Sequence, residues 1–286
     1  MSDTTKTSTP SATGYAPVNG LDMYYEIHGD GEPLLLLHVA FMTITGSPAL
    51  LAGLACSRQV IAVELQAHGH TADVDRPLSY ERMADDCAAL LGHLGIAQAD
   101  IYGYSMGGGV ALQLAIRHPG LVRRQVIASA TASSAGMHPE VLAAIAAITP
   151  ELFAGSPFEA AYLEVAPRPA DFPRLVEKMV ALDGEAFDWS DAVAKITAPT
   201  LVVLGDADGT RPEHAVEMLR LLGGGVFGDF AGIPRSQLAI LPGTSHLGML
   251  ERTDLLLAMI PPFLDAPEPE QETAGAEPPS DDTVGG

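Results

Sequence analysis

The pentapeptide Gly103-Tyr104-Ser105-Met106-Gly107 sets a hydroxyl between two glycines, after the apolar run Ile101 to Tyr104 and before a stretch of helical spacing. A nucleophile on a sharp strand-to-helix turn needs strained backbone, and glycines two residues to either side remove side chains that would collide there. The turn also puts Ser105 at a helix N-terminus, where free amides, that of Met106 among them, can stabilise a developing oxyanion. The chemistry that suits such a residue is acyl transfer through a covalent serine intermediate.

A serine hydroxyl is a weak nucleophile until the fold brings a base to it. Of nine histidines, His246 is singled out because it ends Pro242-Gly243-Thr244-Ser245-His246, just past the last strand-like run. In an open parallel sheet, loops from the strand C-termini converge on one edge. A carboxylate should fix the imidazole tautomer, and Gly205-Asp206-Ala207-Asp208 follows the preceding strand, giving the chain order serine, acid, histidine. Asp206 and Asp208 both stand in that turn. The second oxyanion donor is expected after Leu34–His38, at the amide of Ala40 or a neighbour. Val39 tolerates positive φ poorly, so the backbone there is either ordinary or distorted. His38 is expected to hold the loop by hydrogen bonds.

Other candidates are read as structure. Gly223 to Gly228 has dinucleotide-fingerprint spacing but follows a helix, not a strand, and is expected to be a loop. His68 and His70 lack Cys or acidic partners at ligand spacing, so no metal site is expected. Cys56 and Cys87 lie among small apolar residues in helix-like segments and are expected as buried free thiols.

The elements that must position these groups alternate between strand-length apolar runs and helical stretches, the pattern of parallel βαβ units. Tyr15 to Val18 and Met23 to His28 form an antiparallel pair around the Asn19-Gly20 turn. Buried strands follow at Leu34–His38, Val60–Val63, Ile101–Tyr104, Gln125–Ala128, Thr200–Leu204 and Gln237–Leu241. Helices are expected over Ser79–Leu94, Gly108–Arg117, Pro212–Leu222 and Leu247–Met259. Residues 131–191 carry helical stretches and no convincing strand, which reads as an all-helical insertion. Its Met137, Phe153, Phe158, Tyr162, Phe187 and Trp189 should form its core, with some reaching a substrate pocket.

The formal charge of -21, from 36 acidic and 15 basic residues, argues against nucleic acid and anionic substrates. Hydrophobic residues make up 47% of the 286, enough for a sizeable core. A Ser/Thr-rich start to Gly14 and a Pro/Glu-rich tail over 265–286 are expected to be disordered. Neither a secretory signal nor a run of roughly 18 apolar residues is present, so a soluble, cytoplasmic protein without a membrane partner is expected.

These motifs resemble the α/β-hydrolase superfamily over about residues 15–264: Gly-Tyr-Ser-Met-Gly-Gly at 103–108, Gly-Asp-Ala-Asp at 205–208 and Gly-Thr-Ser-His at 243–246. The resemblance implies an α/β fold with an eight-stranded, mostly parallel sheet flanked by helices. The core is then 15–130 with 196–264, and a helical cap spans 131–195. It also implies Asp208 as the acid, since relatives place it last in that turn, and no cofactor. The chain is most similar to small capped esterases and resembles macrolide esterases, implying a small-molecule ester or lactone substrate. Carbon–carbon bond hydrolysis, cofactor-free perhydrolysis and a hydrolase-like binding protein are the alternatives. Expected pocket residues are Phe41, Tyr104, Met137, Phe153, Tyr162 and Trp189. Val39, Glu64 and Ala67 depart from the superfamily pattern around the oxyanion loop.

Overall fold

The computed structural model describes residues 9–267. Its strands are β1 Ala12–Val18, β2 Leu21–His28, β3 Glu32–Leu37, β4 Arg58–Val63, β5 Ala99–Tyr104, β6 Val122–Ala128, β7 Thr200–Ala207 and β8 Gln237–Ser245. They form one sheet in the order β1-β2-β4-β3-β5-β6-β7-β8. β2 runs antiparallel to β1 and β4, and all later pairings are parallel. This is the expected α/β-hydrolase sheet.

Helices connect the strands: α1 Pro48–Leu54, α2 Tyr80–His93, α3 Met106–Arg117, α4 Pro139–Ala146, α5 Pro157–Val165, α6 Phe172–Gly184, α7 Ser190–Val193, α8 Pro212–Leu221, α9 Gly228–Ala231 and α10 Thr253–Leu264. The continuous apolar runs are explained by burial on both faces. Leu35, Leu37, Ile61, Val63, Ile101 and Ile127 pack in one core with α2, α3 and α8. Their alternates Leu34, Leu36, Val60, Ala62, Tyr102 and Val126 pack in a second with α1 and α10. Period-two alternation thus divides side chains between two apolar layers, as parallel sheets require. No helix among the described residues is long and apolar enough to cross a membrane.

Several expectations need correction. Structure begins before Tyr15, because Ala12, Thr13 and Gly14 pair with Ile27, Glu26 and Tyr25. At the other end Asp265, assigned to a disordered tail, forms an ion pair with buried Arg58; the remainder of both terminal assignments, 1–8 and 268–286, lies outside the described residues. The helix expected over Leu247–Met259 is instead a 3-10 turn, Leu247–Glu251, followed by α10. α10 runs on through Pro261 and Pro262 because Ile260, Phe263 and Leu264 are buried against the sheet. Cys56 lies beyond the end of α1 and is exposed, whereas Cys87 is buried. Its thiol is pushed up by burial.

Candidate active site

Ser105 lies between β5 and α3 with φ 54° and ψ -114°, a strained conformation for a residue with a side chain. The glycines beside it are required by contact. A methyl on Gly103 would lie 2.2 Å from the Gly107 carbonyl oxygen, and one on Gly107 would lie 2.4 Å from that of Leu37. The Ser105 amide donates to Ala128 of β6 at 2.8 Å, which ties the turn to the sheet.

Residues 141 positions apart meet at the hydroxyl. Ser105 Oγ is 3.0 Å from His246 Nε2, and His246 Nδ1 is 2.9 Å from Asp208 Oδ1. With Nδ1–H donating to the carboxylate, Nε2 is left to accept the serine proton. Asp208 is buried and fully partnered: the Thr210 amide donates to Oδ1 at 3.1 Å and the Ser129 hydroxyl to Oδ2 at 2.6 Å. Burial would raise its pKa, but the hydrogen bond and charge of His246, with these further donors, leave it lowered. The carboxylate therefore stays ionised in a buried position.

Asp206 does something else: its carboxylate is exposed and accepts from the Thr244 amide at 3.1 Å, holding the histidine loop. The strands pinch together here. A methyl on Gly205 would sit 1.8 Å from the Thr244 carbonyl oxygen, and the β7–β8 register shifts between Gly205 and Ala207. Such irregularities re-aim side chains at the ends of strands.

Ala40 and Met106 both border the cavity above Ser105. Met106 opens α3, so its amide is among those with no acceptor inside the helix. The Met42 amide closes a turn on Val39 O at 3.3 Å, enclosing Ala40 and Phe41. Val39 is absent from the positive-φ residues, and the left-handed position falls at Phe41, φ 62°. The loop is held from below. Glu64 Oε1 accepts from the Ile44 amide at 3.4 Å, while Oε2 accepts from the His70 amide at 2.5 Å and pairs with His70 Nδ1 at 2.9 Å. His38 Nε2 accepts from the Leu65 amide at 3.1 Å, and its Nδ1 donates to Val39 O at 2.8 Å. Burial depresses its pKa, keeping it neutral. No group of three or more His, Cys, Asp or Glu among the described residues is placed to hold a metal ion.

The cavity has a volume of about 590 Å³ and is mainly apolar. Phe41, Met137, Phe153 and Trp189 border it as expected. Two assignments are corrected. Tyr162 is buried against Phe172 within the insertion, since α5 turns it inward. Tyr104 points to the other side of β5, where its hydroxyl donates to the His246 carbonyl and its ring lies 5.6 Å from the imidazole. Side chains that alternate across a strand cannot all face one cleft. Tyr80, Asp183, Ile145 and Leu247 also border the cavity and escaped sequence reasoning. Only Asp183 carried a signal, as an acid in the last turn of a helix, where the dipole disfavours one.

The sequence profile described as the Alpha/beta hydrolase family matches residues 27–259. This chain belongs to that family. An sn-1-specific diacylglycerol lipase ABHD11 of Danio rerio is 31% identical over 125 residues, covering 43% of this chain and 39% of the lipase. A 2-hydroxymuconate semialdehyde hydrolase of Pseudomonas putida is 39% identical over 102 residues, 35% of this chain and 36% of that protein. Each match thus spans well under half of the relative's length. The enol-lactonase from Burkholderia xenovorans LB400 superimposes with a TM-score of 0.66 at 22% identity, over 87% of this chain and 99% of the other, a likeness of fold.

Proposed function

We propose that this hydrolase cleaves a carboxylic ester or lactone through an acyl-enzyme on Ser105. The observation that carries the reading is the relay of contacts, 3.0 Å from Ser105 Oγ to His246 Nε2 and 2.9 Å from Nδ1 to Asp208. Ser105 Oγ attacks the carbonyl carbon while His246 takes its proton, and the amides of Met106 and Ala40 hold the resulting oxyanion. Collapse expels the alkoxide, which receives the proton from His246. A water then repeats the attack on the acyl carbon and releases the acid. In a lactone, acid and alcohol remain in one molecule, so the net change is the gain of one water. No step draws on a metal or cofactor.

The cavity wall favours this reaction over carbon–carbon cleavage on the same residues. A carbanionic leaving group or an acidic substrate needs a cation nearby, and no Lys or Arg is among the lining residues. Apolar walls and an acidic protein suit a neutral or cationic, partly hydrophobic small molecule. A macrolide lactone belongs in the panel of candidates.

The test is hydrolysis of short acyl esters, lactones and macrolides by wild type and Ser105→Ala, with products weighed by mass spectrometry. Turnover should fall by about 10³ or more in the variant, and a lactone should gain the mass of one water. A variant that keeps most of the wild-type rate would overturn the mechanism.

A further inference from the structure

One wall of the cavity differs from the rest. Tyr80, Phe187 and Trp189 border it together, and beside them stands Asp183. Phe187 and Trp189 stack with centroids 4.2 Å apart and planes at 27°, and Tyr80 meets Trp189 edge-on at 5.3 Å. The Tyr80 hydroxyl donates to Asp183 Oδ1 at 2.9 Å. Two aromatic residues of this wall come from the segment leaving the insertion, which is clamped. The Trp189 amide donates to Ala132 O at 2.8 Å, while the Ser134 amide donates to Phe187 O and the Phe187 amide to Ser134 Oγ, both at 2.9 Å. The rings are therefore held before any ligand arrives.

Electrostatics at this wall point in one direction. Asp183 belongs to the final turn of α6, a helix with no basic residue there, so the partial negative charge of the last carbonyls adds to its own. No Lys or Arg lines the cavity to compensate. Burial pushes the Asp183 carboxyl above the ordinary range, against the Tyr80 hydrogen bond and the charge of His246. An acid that a bound cation would hold ionised, beside three aromatic rings in a cavity without Lys or Arg, forms an arrangement that attracts an alkylammonium through charge and ring quadrupoles.

We propose that Asp183, Tyr80, Phe187 and Trp189 form a subsite for an alkylammonium group, so that the substrate is an ester or lactone carrying a tertiary or quaternary amine. The substrate class rests on the hydrolytic reading above, whereas binding of the cation does not require catalysis.

Trp189 is the chain's single tryptophan, so fluorescence excited at the red edge, beyond tyrosine absorption, reports on this wall alone. The experiment titrates wild type, Ser105→Ala, Asp183→Asn and Phe187→Leu with butyltrimethylammonium and with its uncharged isostere 2,2-dimethylhexane, the latter at concentrations below its solubility limit. Thermal melting of each variant verifies that it is folded. Wild type and Ser105→Ala should both show saturable quenching by the cation, with affinity at least about tenfold above that for the isostere. Asp183→Asn should abolish most of that preference, and Phe187→Leu should weaken cation binding several-fold. Equal affinity for cation and isostere, absence of saturable quenching by the cation, or a folded Asp183→Asn that keeps the preference would each overturn the subsite. Failure of the hydrolytic reading is seen separately, as unchanged turnover in Ser105→Ala.

Discussion

The Tyr104 hydroxyl donates a hydrogen bond to the backbone carbonyl of His246, so the residue just before the nucleophile anchors the residue that would deprotonate it. The contact joins β5 to the loop after β8, two strands that are not neighbours in the sheet. Its ring also lies against the imidazole.

Tyr104→Phe keeps the ring and removes the anchor. The expected result is a fall in kcat of about 3- to 30-fold with little change in KM, and a loss of about 1 kcal/mol in stability. Steady-state kinetics and urea unfolding measure both. A tenfold rise in KM at unchanged kcat would instead assign Tyr104 to substrate contact.

Asp208→Asn leaves the volume unchanged but takes away the charge that orients His246. The amide can present an N–H to Nδ1 and trap the wrong tautomer, so kcat should drop by about 10³- to 10⁴-fold. Acid stability tests the same residue. The folded pKa of Asp208 is depressed, so its stabilisation is present above the unfolded carboxylate range and is lost as pH falls through the folded value. The wild type should lose stability on acidification below about pH 4 more steeply than the variant. Parallel curves would show that Asp208 contributes no such linkage.

His68 supplies a pH dependence of its own. Burial, with the neighbouring His38, lowers its pKa from 6.5 to about 3. Between those values the unfolded chain takes a proton that the folded chain refuses, so stability falls as pH decreases, by at most about 1.4 kcal/mol per unit. In His68→Asn the side-chain amide can still donate to Gln66 O, replacing the 3.0 Å contact of Nδ1. Urea titrations from pH 7 to 4 should give a shallower slope for the variant. An identical slope would mean that His68 is protonated in the folded protein.

Two glycine-to-alanine changes should have opposite signs. Gly107→Ala drives a methyl into the carbonyls of Leu37, the last residue of β3, and His38 just after it, at 2.4 and 2.8 Å, and backbone must move. Stability should fall by about 2–3 kcal/mol and activity by about 100-fold or more. Gly92→Ala lies at an exposed position of α2 with nothing within 4 Å, and should raise stability by about 0.5 kcal/mol. Thermal melts separate the two.

The sheet and the three residues of the relay were legible because each rests on a local necessity. Gly103 and Gly107 clear a turn, Asn19-Gly20 makes a hairpin with φ of 47° and 84°, and Leu34 to Leu37 form a strand covered on both faces. What escaped depends on distant packing. Nothing local marks Tyr80 as a cavity residue, because the contact comes from α2 meeting α6 across 103 positions of sequence. Val39 drew attention as a departure, yet the unusual backbone lies at Phe41, and Ala67 likewise adopts φ 66° in the following loop. Left-handed residues other than glycine are held by their surroundings, which composition does not encode. The continuation of α10 past Pro261 has the same origin in tertiary burial.

Residues 132–134 and 187–189 lie side by side, with an antiparallel bridge between Ser133 and Asp188. The intervening stretch therefore departs from the sheet and rejoins it through one narrow neck. Helices within it roof the cavity, and they are tied to the core at further points, through the Met137–Thr210 bridge, the Lys178–Asp73 ion pair and the Tyr80–Asp183 hydrogen bond. A graft across that neck would therefore exchange the roof as one piece, and it would keep the site intact only if the graft reproduces the contact with Thr210, whose amide donates to Asp208.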